Sequence, residues 1–179
     1  MEADGLPNAR NVPTSTLASN LWYHLGLARY LRGEWAAAAE AFARARDAVD
    51  NPDNLVAASY WLWLAAQRQG NALTAATALS PIAPDLDVIE NQDYHRLLLV
   101  YSGRADAEPL LAAAAEEGGV ALATVGYGLA AGRLLAGDRE GAAALLRRVV
   151  AETPWAAFGH LAAEAELARD PELRRLAGL

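Results

Sequence analysis

Between Leu21 and Ala48, apolar side chains recur in steps of three and four residues on either side of one glycine. Trp22, Leu25, Leu27, Ala28 and Tyr30 precede Gly33, and Trp35, Ala38, Ala39, Phe42 and Ala45 follow it. That spacing gathers side chains on one face of a helix, which predicts helices over 21–32 and 34–48. A glycine between them marks a tight αα-hairpin, because it adopts positive φ without a Cβ penalty. Neither short helix can bury its apolar face alone, so the pair needs neighbours.

The remaining chain supplies them. Asp50-Asn51-Pro52-Asp53-Asn54 reads as a turn. A helix over 55–69 follows, carrying Tyr60, Trp61, Leu62, Trp63 and Leu64 and apolar on nearly all sides. Gly70-Asn71 turns the chain into a short helix over 72–79, closed by Ser80-Pro81 and Pro84. A third pair is expected over 87–102 and, after Gly103, from Asp106 to Gly118-Gly119. The fourth is expected over 120–136 and, after Gly137, over 139–151. Thr153-Pro154 opens another helix through Ala168, and Asp170-Pro171 a last short one. Ahead of all this, residues 1–13 read as a flexible lead-in, with Thr14, Ser15 or Thr16 able to cap the first helix.

Gly33, Gly70, Gly103 and Gly137 lie 37, 33 and 34 positions apart, the signature of a repeat. The first unit resembles the tetratricopeptide repeat, with Trp22, Leu25, Gly26, Ala38 and Phe42 at that family's places. Arg29 stands where the family has tyrosine, with Tyr30 one place on, and the proline arrives late as Pro52. The fourth unit matches through Leu129, Ala130, Ala142 and Pro154, the second less well and the third least, with Arg96 at a small-residue place. The resemblance implies an all-α, right-handed solenoid of about four hairpins over 19–52, 56–84, 87–118 and 120–154. A cap over 155–179 completes a single domain from 14 to 179. The phrases PTSTL, WYHLGLARYLRG and VIENQDYHRLLL are also similar to segments of a group of bacterial repeat proteins, a likeness that brings no activity with it.

Composition narrows the function. Of 179 residues 54% are hydrophobic, against a usual 45–50%, which is enough for a real core. The net charge is −7 and the 15 basic residues, all arginines, are scattered, which argues against a nucleic-acid surface. With no cysteine there is no thiolate chemistry or disulfide framework. The acidic start, MEADGLPNAR, is not a secretory signal, and the uncharged run from Gly119 to Gly132 is too short to span a bilayer. A cytoplasmic location is the default expectation, or a periplasmic one should the chain be a fragment. The first unit, with no polar cap helix ahead of it, reads as an interior repeat.

Candidate chemistry is sparse. His24, His95 and His160 fall in three different helices, none in the i, i+4 arrangement of a zinc helix, and read as histidines satisfied by their neighbours. Gly126-x-Gly128 lacks the preceding strand a nucleotide loop requires. No catalytic residue, metal site or cofactor is expected. The tyrosines are more informative, since Tyr23, Tyr60, Tyr94 and Tyr127 recur at separations of 37, 34 and 33, echoed by Tyr30 and Tyr101. In the family resembled, such first-helix positions face a concave groove that receives peptides, and packing between successive repeats is the alternative. Asn20, Gln67, Arg68, Glu90, Asp93 and Thr124 would supply polar contacts around the rings. The expected function is therefore a non-catalytic scaffold that takes a protein or peptide in a tyrosine-lined groove, with self-association in a larger assembly as the second reading. On the groove reading, Tyr60→Ala and Tyr127→Ala weaken binding and leave stability nearly untouched.

Overall fold

The computed structural model describes residues 8–179, so the expectation for residues 1–7 of the lead-in lies outside the described residues. Ten helices form among the described residues, and no strand does. The chain divides into two compact units, Met1–Ser102 and Gly103–Leu179. The boundary falls at Gly103, so the two helices of the expected third hairpin belong to different units.

The first unit holds α1 (Leu17–Leu31), α2 (Trp35–Asp47), α3 (Pro52–Arg68), α4 (Ala72–Leu79) and α5 (Gln92–Tyr101). Helix α1 packs on α2, and α3 packs against α2, α4, α5 and α1. Of the candidate caps for α1, Thr16 serves: its hydroxyl accepts from the Ser19 N–H at 3.2 Å, and its own N–H donates to Ser19 Oγ at 2.9 Å. After α1 the chain turns at Gly33, with φ at 77°, and the Glu34 N–H donates to the Arg29 carbonyl at 2.9 Å. The same closure recurs after α3, where φ of Gly70 is 75° and the Asn71 N–H donates to the Ala66 carbonyl.

Two small features set the α1–α2 distance. A Cβ built on Gly26 would stand 2.7 Å from Cε1 of Phe42, so the hairpin closes to this spacing only with glycine there. Phe42 and Ala38 are fully buried. Trp22 is half-buried, with the Arg44 guanidinium 4.7 Å above its ring. Leu25, expected in the same core, is 38% exposed. Preceding Gly26 by one residue, it points about 100° away around the helix.

Helix α3 begins at Pro52, three residues before its expected start, because the supposed turn is a helix entry. The Asn51 side chain accepts from the Asn54 N–H at 2.8 Å, and Pro52 occupies the first turn, where its missing N–H costs nothing. The side-chain amide of Asn54 meets the carbonyls of Ala45, Arg46 and Val49, each at 3.0 Å, closing the end of α2. Asp53, 2% exposed, accepts from the N–H groups of Ile89, Glu90 and Asn91 at 2.8, 2.7 and 3.0 Å. Those bonds hold an irregular segment ahead of α5, which therefore starts at Gln92 and not at the expected 87.

The second unit holds α6 (Ala107–Glu117), α7 (Gly119–Leu135), α8 (Arg139–Glu152), α9 (Phe158–Arg169) and α10 (Pro171–Leu176). Helix α7 packs against α6, α8 and α9, and α10 rests on α8 and α9. The uncharged run in α7 is a buried helix, and no helix among the described residues is long and apolar enough to cross a membrane. Gly159 brings α9 against α7 so closely that an added Cβ would land on the Ala123 carbonyl. Asp170 caps α10 through the Leu173 N–H at 2.9 Å and takes a two-pronged bond from Arg139 of α8 at 2.8 and 2.9 Å. The Leu173 N–H, with Arg139 beside it, holds the Asp170 carboxyl below its ordinary value.

Phe42→Ala is expected to cost about 3–5 kcal/mol in denaturant unfolding, the range for deleting a buried aromatic ring. Gly26→Ala, which drives a methyl into the same ring, should cost about 1–3 kcal/mol. In the Phe42→Ala background the Gly26→Ala cost should disappear, since the cavity receives the methyl. Equal Gly26→Ala costs in both backgrounds would separate the two residues.

Because the folded value of Asp170 is depressed, its contribution is complete above the unfolded carboxyl pKa and is lost as pH falls through the folded one. Asp170→Asn should therefore lower the melting temperature at neutral pH, and its difference from the parent should shrink on acidification. A difference independent of pH would show that the carboxylate's charge is not what holds α10.

Candidate functional site

The expected groove residues divide by burial. Tyr60 and Tyr127 have no exposed surface and Tyr30 has 1%, so these three rings do not line a groove. Helix α3 explains Tyr60. Twelve residues of its Pro52–Arg68 span are buried, including Trp61, Trp63 and Leu64, so no broad face of the helix is left open. Aromatic rings of α1, α2 and α5 surround it, among them Tyr30, Phe42 and Tyr94.

The filling is continuous. The Trp61 ring lies 5.1 Å from Tyr30, 5.0 Å from Tyr60 and 6.1 Å from Phe42. Tyr60 meets Tyr94 at 4.7 Å, and Tyr101 stacks on Trp63 at 4.0 Å. Trp61 Nε1 donates to the Tyr23 hydroxyl at 2.8 Å, and the Tyr23 and Tyr94 hydroxyls stand 3.4 Å apart. Burial pushes the hydroxyls of Tyr23, Tyr60, Tyr94 and Tyr101 above the ordinary phenol value, so they stay protonated. Tyr23, Tyr94 and Tyr101 are half-buried at the margin of the cluster. In the second unit the Tyr127 hydroxyl donates to Glu166 at 3.4 Å, and Glu166, 3% exposed, pairs with Arg169 at 3.2 Å.

The polar candidates do not converge. Asn20 is half-buried and donates to Ser15 Oγ at 3.4 Å. Arg68 lies 4.6 Å above the Trp35 ring, tying the end of α3 to the start of α2, and Gln67 beside it is half-buried. Glu90 is exposed and accepts from the Thr14 hydroxyl at 2.7 Å, holding the segment ahead of α1. Asp93 sits 3.5 Å from Arg96 on its own helix, and Thr124 is half-buried in α7. A cavity of about 530 Å³ beside the α2–α3 turn is bordered by Arg46, Asp50, Pro52, Leu55 and Leu86, and none of the expected groove residues lines it.

The histidines are separate as well. His95 Nε2 lies 2.8 Å from the Ala83 carbonyl and His160 Nδ1 3.1 Å from Thr153 Oγ1, both rings buried. His24 is exposed, its Nδ1 2.8 Å from the Asn20 carbonyl. Among the described residues no three His, Cys, Asp or Glu side chains gather to hold a metal ion.

The surface that stands out includes Leu25, which the spacing had placed in the core. The exposed residues of α1 are Leu17, Leu21, His24, Leu25 and Ala28, without one carboxylate, lysine or arginine. The three leucines are 57%, 64% and 38% exposed, in steps of four along one side of the helix. Helix α2 shows the ordinary pattern, exposing Glu40, Arg44 and Asp47. The signal was present in the sequence: from Leu17 to Ala28 no charged residue interrupts α1, so it has no charged face to offer water. Starting the helix at Leu21 hid the first leucine of the stripe.

Comparison with known proteins returns no matching family model, no matching curated protein and no matching solved structure.

Tyr60→Ala and Tyr127→Ala should each destabilise by about 3–5 kcal/mol, as buried aromatic deletions do. Melts recorded beside Phe42→Ala test this, and two variants melting with the parent would return the rings to a wet surface.

Proposed function

We propose that the chain is a non-catalytic protein-interaction scaffold, a right-handed solenoid of tetratricopeptide-like hairpins capped at its C-terminal end. Support for the repeat reading comes from Gly33, Gly70, Gly103 and Gly137, all at positive φ. It comes also from the Gly26–Phe42 contact, which joins two of the family's positions across one hairpin. The observation that carries the functional reading is the outward side of α1, where three exposed leucines follow one another with no charge between them. Exposed apolar patches of this kind mark surfaces that meet another protein. Recognition is thus proposed for the outside of the first hairpin, and the tyrosines of the first unit serve as packing that ties α1 and α5 to α3. A preformed helical face costs a partner little ordering on the scaffold's side.

The test is affinity capture from an extract of source cells, comparing the parent with Leu17→Ser/Leu21→Ser. Both side chains are more than half exposed, so the double variant should fold and melt like the parent. Proteins retained by the parent should fall at least tenfold with the variant. Identical retention by both would remove α1 as the recognition surface.

A further inference from the structure

We infer that the outward face of α1 pairs with the same face of a second copy of this chain, antiparallel and about a two-fold axis at Leu21. The inference rests on the reading of α1 as an interaction surface and adds the identity of the partner. Three features of the face select it.

First, the stripe is self-complementary. Leu17 and Leu25 lie four residues either side of Leu21. Turning one helix end for end about Leu21 therefore sets each Leu17 against the other copy's Leu25, and Leu21 against itself. A two-fold interface requires one patch to match its own reverse. The stripe covers about 12 Å at 1.5 Å per residue, a single well-defined helix crossing.

Second, the charges at its two ends are opposite. Beyond the C-terminal end Arg32, 74% exposed, pairs with Glu34 at 2.6 Å, and half-buried Arg29 donates to the Ala37 carbonyl at 3.0 Å, leaving one positive charge in surplus. At the N-terminal end Thr14 holds Glu90 and Arg10 holds Asp87 at 2.7 Å, leaving one negative charge in surplus. An antiparallel pair brings the positive end of each copy to the negative end of the other. A parallel pair would set like against like, so the charges choose the orientation that the leucine stripe also permits.

Third, nothing along the face opposes closure. No carboxylate, lysine or arginine need be desolvated between Leu17 and Ala28. The contact is one helix wide and smaller than the roughly 800 Å² per partner of a standard interface, so the dimer should form in proportion to concentration.

Light scattering during size exclusion, over a dilution series of the intact chain, provides the first measurement. The mass should rise from 19.0 kDa toward twice that value with concentration. Leu21→Arg, which sets two cations on the axis, should remain at the monomer mass throughout while keeping the parent's melting temperature.

The second measurement fixes the geometry. Helix axes about 8–10 Å apart, with Cα atoms on a radius of about 2.3 Å, bring facing Cα atoms within disulfide reach on the axis. The chain has no cysteine of its own, so Leu21→Cys should give a covalent dimer on oxidation, and Leu73→Cys, 79% exposed on α4, should not. Arg32→Glu and Glu90→Arg should each lower the dimer fraction, and the double variant should restore it.

A monomer at every concentration, with no Leu21→Cys cross-link, overturns the inference. It leaves the interaction reading standing if α1-dependent capture of another protein is still seen. A dimer that persists in Leu21→Arg, or that cross-links equally through Leu73→Cys, also overturns it, since association then uses another surface.

Discussion

The first unit depends on four consecutive residues, Asn51 to Asn54, which tie three separate segments to the start of α3. Asn51 caps α3 and donates to the Thr14 carbonyl at 3.0 Å, fixing the segment that leads into α1. Asn54 closes the end of α2, and Asp53 gathers three backbone N–H groups ahead of α5. A buried carboxylate is costly unless its oxygens are satisfied, and amides at a helix entry are costly unless something accepts from them. Asp53 and the Ile89–Asn91 backbone answer both demands with the same bonds. The irregular stretch between α4 and α5 is therefore a fixed part of the unit.

How much of this could be read from the sequence differs by element. The limits of α4 and the turns at Gly33 and Gly70 are where residue chemistry places them, because one short apolar run and one glycine leave few alternatives. The entry to α3 was not legible. Asn, Pro, Asp and Asn are favoured both in turns and at helix starts, and only the tertiary partners of Asp53 and Asn54 decide between these. The tyrosines were legible as a period and not as a direction. A spacing of 37, 34 and 33 states that equivalent positions recur, and rings packed between helices recur as faithfully as rings facing a groove. What decides for packing is that α3 lies among α1, α2, α4 and α5, and α7 among α6, α8 and α9, so that Tyr60 and Tyr127 meet neighbouring helices.

The aromatic filling bears on where function can lie. A ring that is 0% exposed and hemmed by Trp61, Tyr94 and Tyr101, as Tyr60 is, offers a ligand nothing unless the unit opens. The bond from Trp61 to the Tyr23 hydroxyl ties α1 to α3 in the same network. A peptide sought on that side would have to displace packing worth several kcal/mol, which favours recognition on a surface already exposed.

Helix α1 has an exposed apolar side through an inversion of the usual arrangement. Its inward side includes the small residues Ser19 and Gly26, and Gly26 is there so that Phe42 of α2 can approach. Large apolar residues are thus not needed at that crossing, because the partner helix provides the bulk. Yet α1 carries leucines at 17, 21 and 25, directed away from the core by the same helical turn that directs Gly26 into it. Helix propensity does not demand them there, since alanine, glutamate, lysine or arginine would form the helix as well and keep the face wet. An apolar stripe that neither the fold nor the helix needs is the feature on which the proposed interaction role rests.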